Sequence, residues 1–85
     1  MASDRRVAVV TGGGRGIGRG IVGELAALGL SVVVNFRGDA ASADEACREA
    51  EARGAPEAVA VQADVANLAQ GRRLLDAVIG RFGRI

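Results

Sequence analysis

Histidine, lysine, tyrosine and tryptophan are all absent from the 85-residue sequence. Their absence excludes histidine triads, histidine metal ligands, lysine Schiff bases and tyrosine general acids from this chain. A Walker phosphate loop is excluded as well, because it needs a lysine on the phosphates. We therefore expect no catalytic residue and no metal site within residues 1–85.

The chain also has only one cysteine and a small net charge. The single Cys47 cannot form an internal disulfide or a zinc cluster, and we interpret it as a small buried residue on a helix. The lack of disulfides fits a reducing compartment, so we expect a cytoplasmic protein. The formal net charge of +1 gives no support for a nucleic-acid or membrane-surface partner, and no apolar run approaches the ~20 residues of a membrane span.

Apolar runs alternate with helical patterns along the chain. The runs Val7–Val10, Ser31–Phe36 and Ala58–Gln62 are short and rich in valine or alanine, which favours strands buried on both faces. The order β-α-β-α-β-α predicts parallel strands joined by helical crossovers. The sequence thus predicts an α/β fold with a parallel sheet between helical layers.

Each helix has a predicted start, end or buried face. The first helix is expected to end before Gly29, and capping patterns at Ser42–Glu45 and Asn67–Gln70 are expected to open the other two. The buried faces are predicted from apolar spacing. They comprise Ile17, Ile21, Leu25 and Leu28 in the first helix, Ala43, Cys47 and Ala50 in the second, and Leu68, Leu75, Val78, Ile79 and Phe82 in the third.

Arg84 and Ile85 follow a predicted helix stop at Gly83 and look like the approach to a fourth strand. A three-stranded sheet would leave the first strand unpaired along one edge, which is an aggregation hazard. We therefore interpret residues 1–85 as the N-terminal part of one longer domain.

A glycine-rich stretch, "TGGGRGIG", separates the first strand from the first helix. Backbone N–H groups in the first helical turn lack partners within the helix, and glycines let a phosphate approach them closely. The stretch therefore predicts a phosphate or pyrophosphate site, with Gly12, Gly16 and Gly18 as the effective spacing. The literal G-x-G-x-x-G at Gly18, Gly20 and Gly23 begins inside the helix, and we interpret it as a coincidence of spacing.

This stretch resembles the T-G-x-x-x-G-x-G fingerprint of the short-chain dehydrogenase/reductase family, and the similarity extends over essentially the whole chain. "ADV" at residues 63–65 is similar to the family's adenine-contacting motif, and "FGRI" to its lead into strand 4. "VTGGGRGIG" followed by "VVVNFR" looks most like the 3-oxoacyl acyl-carrier-protein reductase type. The resemblance implies the N-terminal βαβαβα portion of a Rossmann-type three-layer α/β/α domain that binds NAD or NADP.

The resemblance also implies roles for individual residues. The pyrophosphate turn would lie in the fingerprint from Thr11 to Gly18, with Gly12, Gly14, Gly16 and Gly18 among its glycines and Ile17 contributing a backbone N–H. Asp64 would accept a hydrogen bond from the adenine amino group, with Val65 beside it. From the residues alone, a turn ahead of a helix explains Asp64 nearly as well.

The end of the second strand indicates which dinucleotide is preferred. An NAD-binding Rossmann domain has an acidic residue there, for the ribose 2′-hydroxyl. This chain has Asn35 and Phe36 instead, with Arg37 next and Asp39 beyond the strand. Arginine suits bidentate phosphate binding, so we predict that Arg15 and Arg37 flank the 2′-phosphate of NADP, and that NAD is less favoured. The alternative is two solvated surface arginines.

By the same resemblance, the parent protein would be an oligomeric enzyme that reduces a small carbonyl compound or oxidises an alcohol. Its catalytic tyrosine, lysine and serine would follow later in the chain, so the 85 residues alone are expected to be inactive. Two alternatives stay open: a non-catalytic dinucleotide-binding module, and an inert fragment. FAD and S-adenosylmethionine fit the glycine spacing less well.

Overall fold

The computed structural model describes residues 6–83, which form three strands and three helices in strict alternation. In chain order they are β1 (Val7–Thr11), α1 (Gly16–Ala27), β2 (Ser31–Phe36), α2 (Ala40–Arg53), β3 (Ala58–Gln62) and α3 (Leu68–Phe82). The predicted order of elements is confirmed, and the strand boundaries agree within one residue. Arg84 and Ile85, where the sequence predicts the approach to a fourth strand, lie outside the described residues.

The three strands form one parallel sheet with β2 in the centre. Val7 is aligned with Ser31 across the first pair, and Val32 with Ala58 across the second. Because the strands run in parallel, their carboxyl ends and the loops that follow them meet at one edge of the sheet. Within residues 6–83, β1 has a strand partner on one side only.

Side chains of β2 alternate between two cores. Val32 and Val34 pack against α1 and α2 on one face of the sheet, whereas Val33 packs with residues of α3 on the other. The α/β/α layering predicted from the sequence is therefore confirmed. None of the helices within residues 6–83 is long and apolar enough to cross a bilayer.

The face by which α1 packs differs from the predicted one. Val22, Gly23 and Ala26 are buried, while Ile17 is 85% and Leu28 67% exposed. Small residues allow this helix to lie close to the sheet and to α2, and Ile17, Ile21 and Leu28 are left exposed. Of the four residues predicted for this face, Leu25 is half-buried and packs against the core, but the prediction was wrong for Ile17, Ile21 and Leu28, which are exposed. Apolar residues occupy more of the helix circumference than the sheet covers.

The start of α2 also differs from the prediction. The helix begins at Ala40, and its N-cap is Asp39, whose Oδ1 accepts a hydrogen bond from the Ser42 N–H at 3.0 Å. Ser42 therefore lies inside the first turn and is not the cap. The predicted small inner face is confirmed, since Ala43, Cys47 and Ala50 are buried.

The start of α3 agrees with the prediction, but its buried face agrees only in part. Asn67 caps the helix by accepting a hydrogen bond from the Gln70 N–H at 3.2 Å. Leu74 and Val78 are the buried residues, whereas Leu68 is 82% exposed. Two of the residues predicted to face the core, Leu75 and Ile79, are also exposed.

Candidate functional site

The glycine loop between β1 and α1 has backbone geometry that side chains would disturb. Gly12 and Gly16 have φ values of 66° and 57°, in the left-handed region that glycine adopts at little cost. Gly18 has a different constraint, because a Cβ there would collide with the carbonyl oxygen of Gly12. The loop therefore folds back onto the first turn of α1, and its shape favours glycine at these three positions.

The helix that follows this loop begins differently from the other two. Asp39 and Asn67 cap α2 and α3 with their own side chains. Arg15 occupies the N-cap of α1 in an extended conformation, and no side chain in the described part of the protein accepts a hydrogen bond there. The first N–H groups of α1 lack partners within the helix, so this N-terminus offers donors and a positive dipole to an anion.

A cavity of about 360 Å³ lies beside this loop, at the carboxyl ends of β1 and β2. Its volume is near the low end of the ~300–1,000 Å³ typical of small-molecule sites. Six of the predicted site residues line it, and three further lining residues were not among the predicted ones. The first group is Gly12, Gly14, Arg15, Gly16, Phe36 and Arg37, and the second is Gly38, Asp39 and Ser42.

Asp39 brings a negative charge into this cavity. Its carboxylate accepts the Ser42 N–H at 3.0 Å and the Ser42 hydroxyl at 2.7 Å. Those two hydrogen bonds, and after them the positive charge of Arg15, hold the pKa of Asp39 below its ordinary value. The sequence alone assigns Asp39 no role in the site, because Asp39 lies beyond the strand. Identifying Asp39 as the cap of α2 would have indicated its position at this edge of the sheet.

Arg37 and Asp64 approach each other across the ends of β2 and β3. The Arg37 Nε lies 3.7 Å from Asp64 Oδ2. The other carboxylate oxygen of Asp64 accepts the Ala66 N–H at 3.1 Å, which fixes the carboxylate in the turn before α3. The two predicted ligand groups, for the 2′-phosphate and for adenine, are thus neighbours in the fold.

Asn35 has a structural position that the sequence did not indicate. Its side chain is buried, and its Nδ2 donates to the carbonyl oxygens of Val61 at 3.2 Å and Ala63 at 3.1 Å. Its own carbonyl oxygen accepts the Gly12 N–H at 3.0 Å. Asn35 therefore connects the glycine loop to the segment that leads to Asp64, and its side chain does not line the cavity.

Four other predicted site residues do not line this cavity. Thr11 and Val65 line a second cavity, of about 450 Å³, between β1 and α3. Ile17 projects outwards from the first turn of α1, and Gly18 lies beneath the loop. Both are placed to contribute through the backbone of that turn.

The described part of the chain supports neither a metal site nor a reactive thiol. No group of three or more histidine, cysteine or acidic side chains that could hold a metal ion occurs within residues 6–83. Cys47 is buried, as predicted, and burial raises the pKa of its thiol to about 11. A thiol of that pKa is almost entirely protonated at neutral pH and is a poor nucleophile.

Known proteins resemble this chain in sequence and in structure. Residues 6–85 match the family described as short chain dehydrogenase. The chain is 46% identical over 78 residues to the short chain dehydrogenase/reductase AacuN of Aspergillus aculeatus, which is 92% of this chain and 29% of that protein. It is 46% identical over 80 residues to a hydroxynaphthalene reductase of Aspergillus fumigatus, which is 94% of this chain and 29% of that protein.

The crystal structure of acetoin dehydrogenase from Enterobacter cloacae superposes with a TM-score of 0.87 at 36% identity, covering 99% of this chain and 33% of that one. The chain therefore spans about a third or less of the length of these relatives.

Proposed function

The chain belongs to the short-chain dehydrogenase family, and we propose that it supplies the cofactor-binding half-site of an NADP-dependent oxidoreductase. The observation that carries this proposal is the uncapped N-terminus of α1 beneath the glycine loop, beside a cavity lined by Arg15 and Arg37. Proteins of this family bind nicotinamide dinucleotides, which supply or accept a hydride when bound.

The residues around the cavity fit a dinucleotide. A Cβ at Gly12 or Gly16 would meet no other atom within 4 Å, so the space beside each α-carbon is open to a ligand. A pyrophosphate there would receive hydrogen bonds from the backbone of Gly16, Ile17 and Gly18. The adenosine end would then extend over Phe36 and Arg37 towards Asp64. The volume of the cavity suits one nucleotide better than a complete dinucleotide.

A preference for NADP over NAD follows from the charges at the end of β2. Phe36 occupies the place of the acidic residue that would repel a 2′-phosphate, and two guanidinium groups line the same cavity. We propose that Arg15 and Arg37 bind that phosphate, and that Asp64 accepts the adenine amino group. For Asn35 we propose a positioning role at the edge of the site, since its side chain is buried and does not line the cavity.

The substrate is proposed at the level of a small carbonyl compound or alcohol. Two of the relatives are named after their substrates, a hydroxynaphthalene and acetoin, and these two compounds are chemically unlike. The 3-oxoacyl thioester suggested by the motif sequence stays a prediction. Catalytic groups would come from chain beyond residue 85, because the present sequence contains neither tyrosine nor lysine.

Exposed apolar side chains on α1 and α3 support the proposal that this chain is part of a longer domain. Ile17 and Ile21 on α1 and Leu68 and Leu75 on α3 are 46–85% exposed. Their exposure would be explained by further strands and helices of the same domain. An oligomer is proposed only for that longer protein.

The experiment that tests the cofactor is an equilibrium titration of the chain with NADPH and with NADH, followed by nicotinamide fluorescence. The chain has no tryptophan or tyrosine to interfere. We expect saturable binding with NADPH the tighter ligand. Arg15→Gln should weaken NADPH about tenfold, because it removes a charge-assisted hydrogen bond to phosphate, and should change NADH little. Arg48→Gln, an exposed arginine of α2 outside the cavity, is the matched control and should change neither.

The same titration separates the alternatives. Equal or tighter binding of NADH would contradict the preference for NADP. Saturable binding together with a complete open reading frame that lacks a Tyr-x-x-x-Lys sequence would favour a non-catalytic nucleotide-binding module. No binding of either cofactor would favour an inert fragment.

A further inference from the structure

The cavity beside the glycine loop contains a carboxylate as well as two guanidinium groups. Arg15, Arg37 and Asp39 are its charged lining residues, which leaves a formal charge of +1. Asp39 caps α2, so its carboxylate already occupies the position at that helix N-terminus which an anion would take. A 2′-phosphate bound by Arg15 and Arg37 would therefore meet a fixed negative charge.

From this arrangement we propose that Asp39 is a specificity-determining residue that limits the preference for a 2′-phosphorylated adenosine over an unphosphorylated one. The proposal rests on the function proposed above and deepens it. Asp39 would oppose the 2′-phosphate in two ways. Its charge competes for Arg15, and its hydrogen bond engages the Ser42 hydroxyl, a donor that could otherwise bind the phosphate.

The effect should be selective because the two ligands differ in charge at one place. A ribose 2′-phosphate is close to a dianion at neutral pH, and repulsion by a nearby carboxylate weakens its binding. A 2′-hydroxyl carries no charge and meets no such opposition. Asp39 remains ionised at neutral pH, since its hydrogen bonds with Ser42 lower the pKa of its carboxyl.

Asp64, the other carboxylate near these arginines, differs from Asp39 in its proposed contact with adenine, whose loss should outweigh the release of Arg37. It lies 3.7 Å from Arg37 and does not line the cavity. Its proposed partner is adenine, which both ligands carry. Its removal should therefore weaken both, whereas removal of the Asp39 charge should strengthen only the phosphorylated ligand.

The test uses the chain itself and two probes that lack nicotinamide, adenosine 2′,5′-bisphosphate and AMP, with calorimetric titration of each. Asp39→Asn removes the charge and keeps the helix cap, because asparagine and aspartate are equally good N-caps. Asp44→Asn is the matched control, since Asp44 is an exposed acid of the same helix that does not line the cavity. Circular dichroism spectra of both variants check that the fold is retained.

We expect Asp39→Asn to tighten adenosine 2′,5′-bisphosphate by roughly 3- to 10-fold, with AMP unchanged within about twofold. The gain should shrink in ~1 M salt, where screening acts over about 3 Å. Asp44→Asn should leave both probes unchanged.

Three results would overturn the proposal. They are an unchanged ratio of the two affinities in Asp39→Asn, an equal gain in Asp44→Asn, and a gain for AMP as large as that for the bisphosphate. If the wild-type chain and every variant bind neither probe, the proposed cofactor site fails and this inference fails with it. Binding of both probes with an unchanged ratio refutes the role of Asp39 alone.

Discussion

The buried amide of Asn35 should be a principal determinant of stability at the edge of the sheet where the site lies. Its Nδ2 makes two hydrogen bonds, at 3.2 and 3.1 Å, to carbonyl oxygens at and just beyond the end of β3. Each such bond contributes about 0.5–1.5 kcal/mol net, so Asn35→Ala should lower the free energy of unfolding by about 1–3 kcal/mol. A chain of this length has roughly 4–13 kcal/mol in total, which makes the loss substantial.

Asn35→Asp should be more damaging than Asn35→Ala at neutral pH. An ionised carboxylate in that position would place a negative oxygen, in place of the donating amide, against two carbonyl oxygens, and an uncompensated buried charge costs about 3–5 kcal/mol. The pKa of the introduced aspartate would therefore be raised in the folded state above its unfolded value. It follows that the protonated form is favoured on folding, so this variant should regain stability as the pH falls through the raised folded value.

Asn67→Asp is the matched control for this experiment. It makes the same chemical change at the exposed N-cap of α3, where a carboxylate accepts the Gln70 N–H as well as an amide does and benefits from the helix dipole. Its pKa should be lowered on folding, so its stability should rise with pH. Urea unfolding followed by far-ultraviolet circular dichroism, at several pH values, measures both slopes. Equal stability of the two variants at neutral pH would refute the role assigned to the Asn35 amide.

Two further predictions concern the glycine loop and the acid response. Gly18→Ala should destabilise the chain by about 1–3 kcal/mol, because its Cβ would collide with the Gly12 carbonyl oxygen. Gly20→Ala, whose Cβ would have no atom within 4 Å, should instead stabilise α1 by about 0.5–1 kcal/mol. Urea midpoints in the reverse order would contradict the packing described for Gly18. The pKa values of Asp39 and Glu49 are lowered by hydrogen bonds with Ser42 and Arg19 respectively, so their contribution to stability is complete above about pH 5 and is lost as the pH falls through the lowered folded values. Asp39→Asn and Glu49→Gln should each flatten that part of the stability profile, and an unchanged acid slope in both variants would count against these two contacts.

Much of the fold could be predicted because periodicity and capping are local signals. Three strands and the cap at Asn67 were correct as predicted. The packing of α1 could not be read in the same way. Apolar residues span more than one face of that helix, and only the structure shows that Val22 and Ala26 meet the sheet while Ile17 does not. The small residues pack because they allow close approach, which a count of large apolar residues does not reveal.

Two residues near the site illustrate what spacing alone misses and what could have recovered it. The place of Asn35 near the end of β2 predicts a cofactor residue, and the structure shows that its side chain is buried. Side chains alternate along a strand, and Asn35 has the parity of Val33, which faces the α3 layer, so burial was predictable from that parity. Asp39 follows the strand, and its position in the sequence does not indicate a role in the site. The carboxyl end of β2 and the N-terminus of α2 nevertheless meet at the same cavity.

Side chains cap the N-termini of α2 and α3, whereas the N-terminus of α1 is the one that a ligand would bind. A helix that lacks a side-chain cap forgoes about 0.5–2 kcal/mol, which is a large share for so small a domain. α2 and α3 have that contribution from Asp39 and Asn67, whereas at α1 no side chain among the described residues provides it. The same N–H groups cannot be capped by the chain and remain available to a phosphate. A ligand bound there would provide the missing cap, so binding at the glycine loop and stability of α1 should rise together.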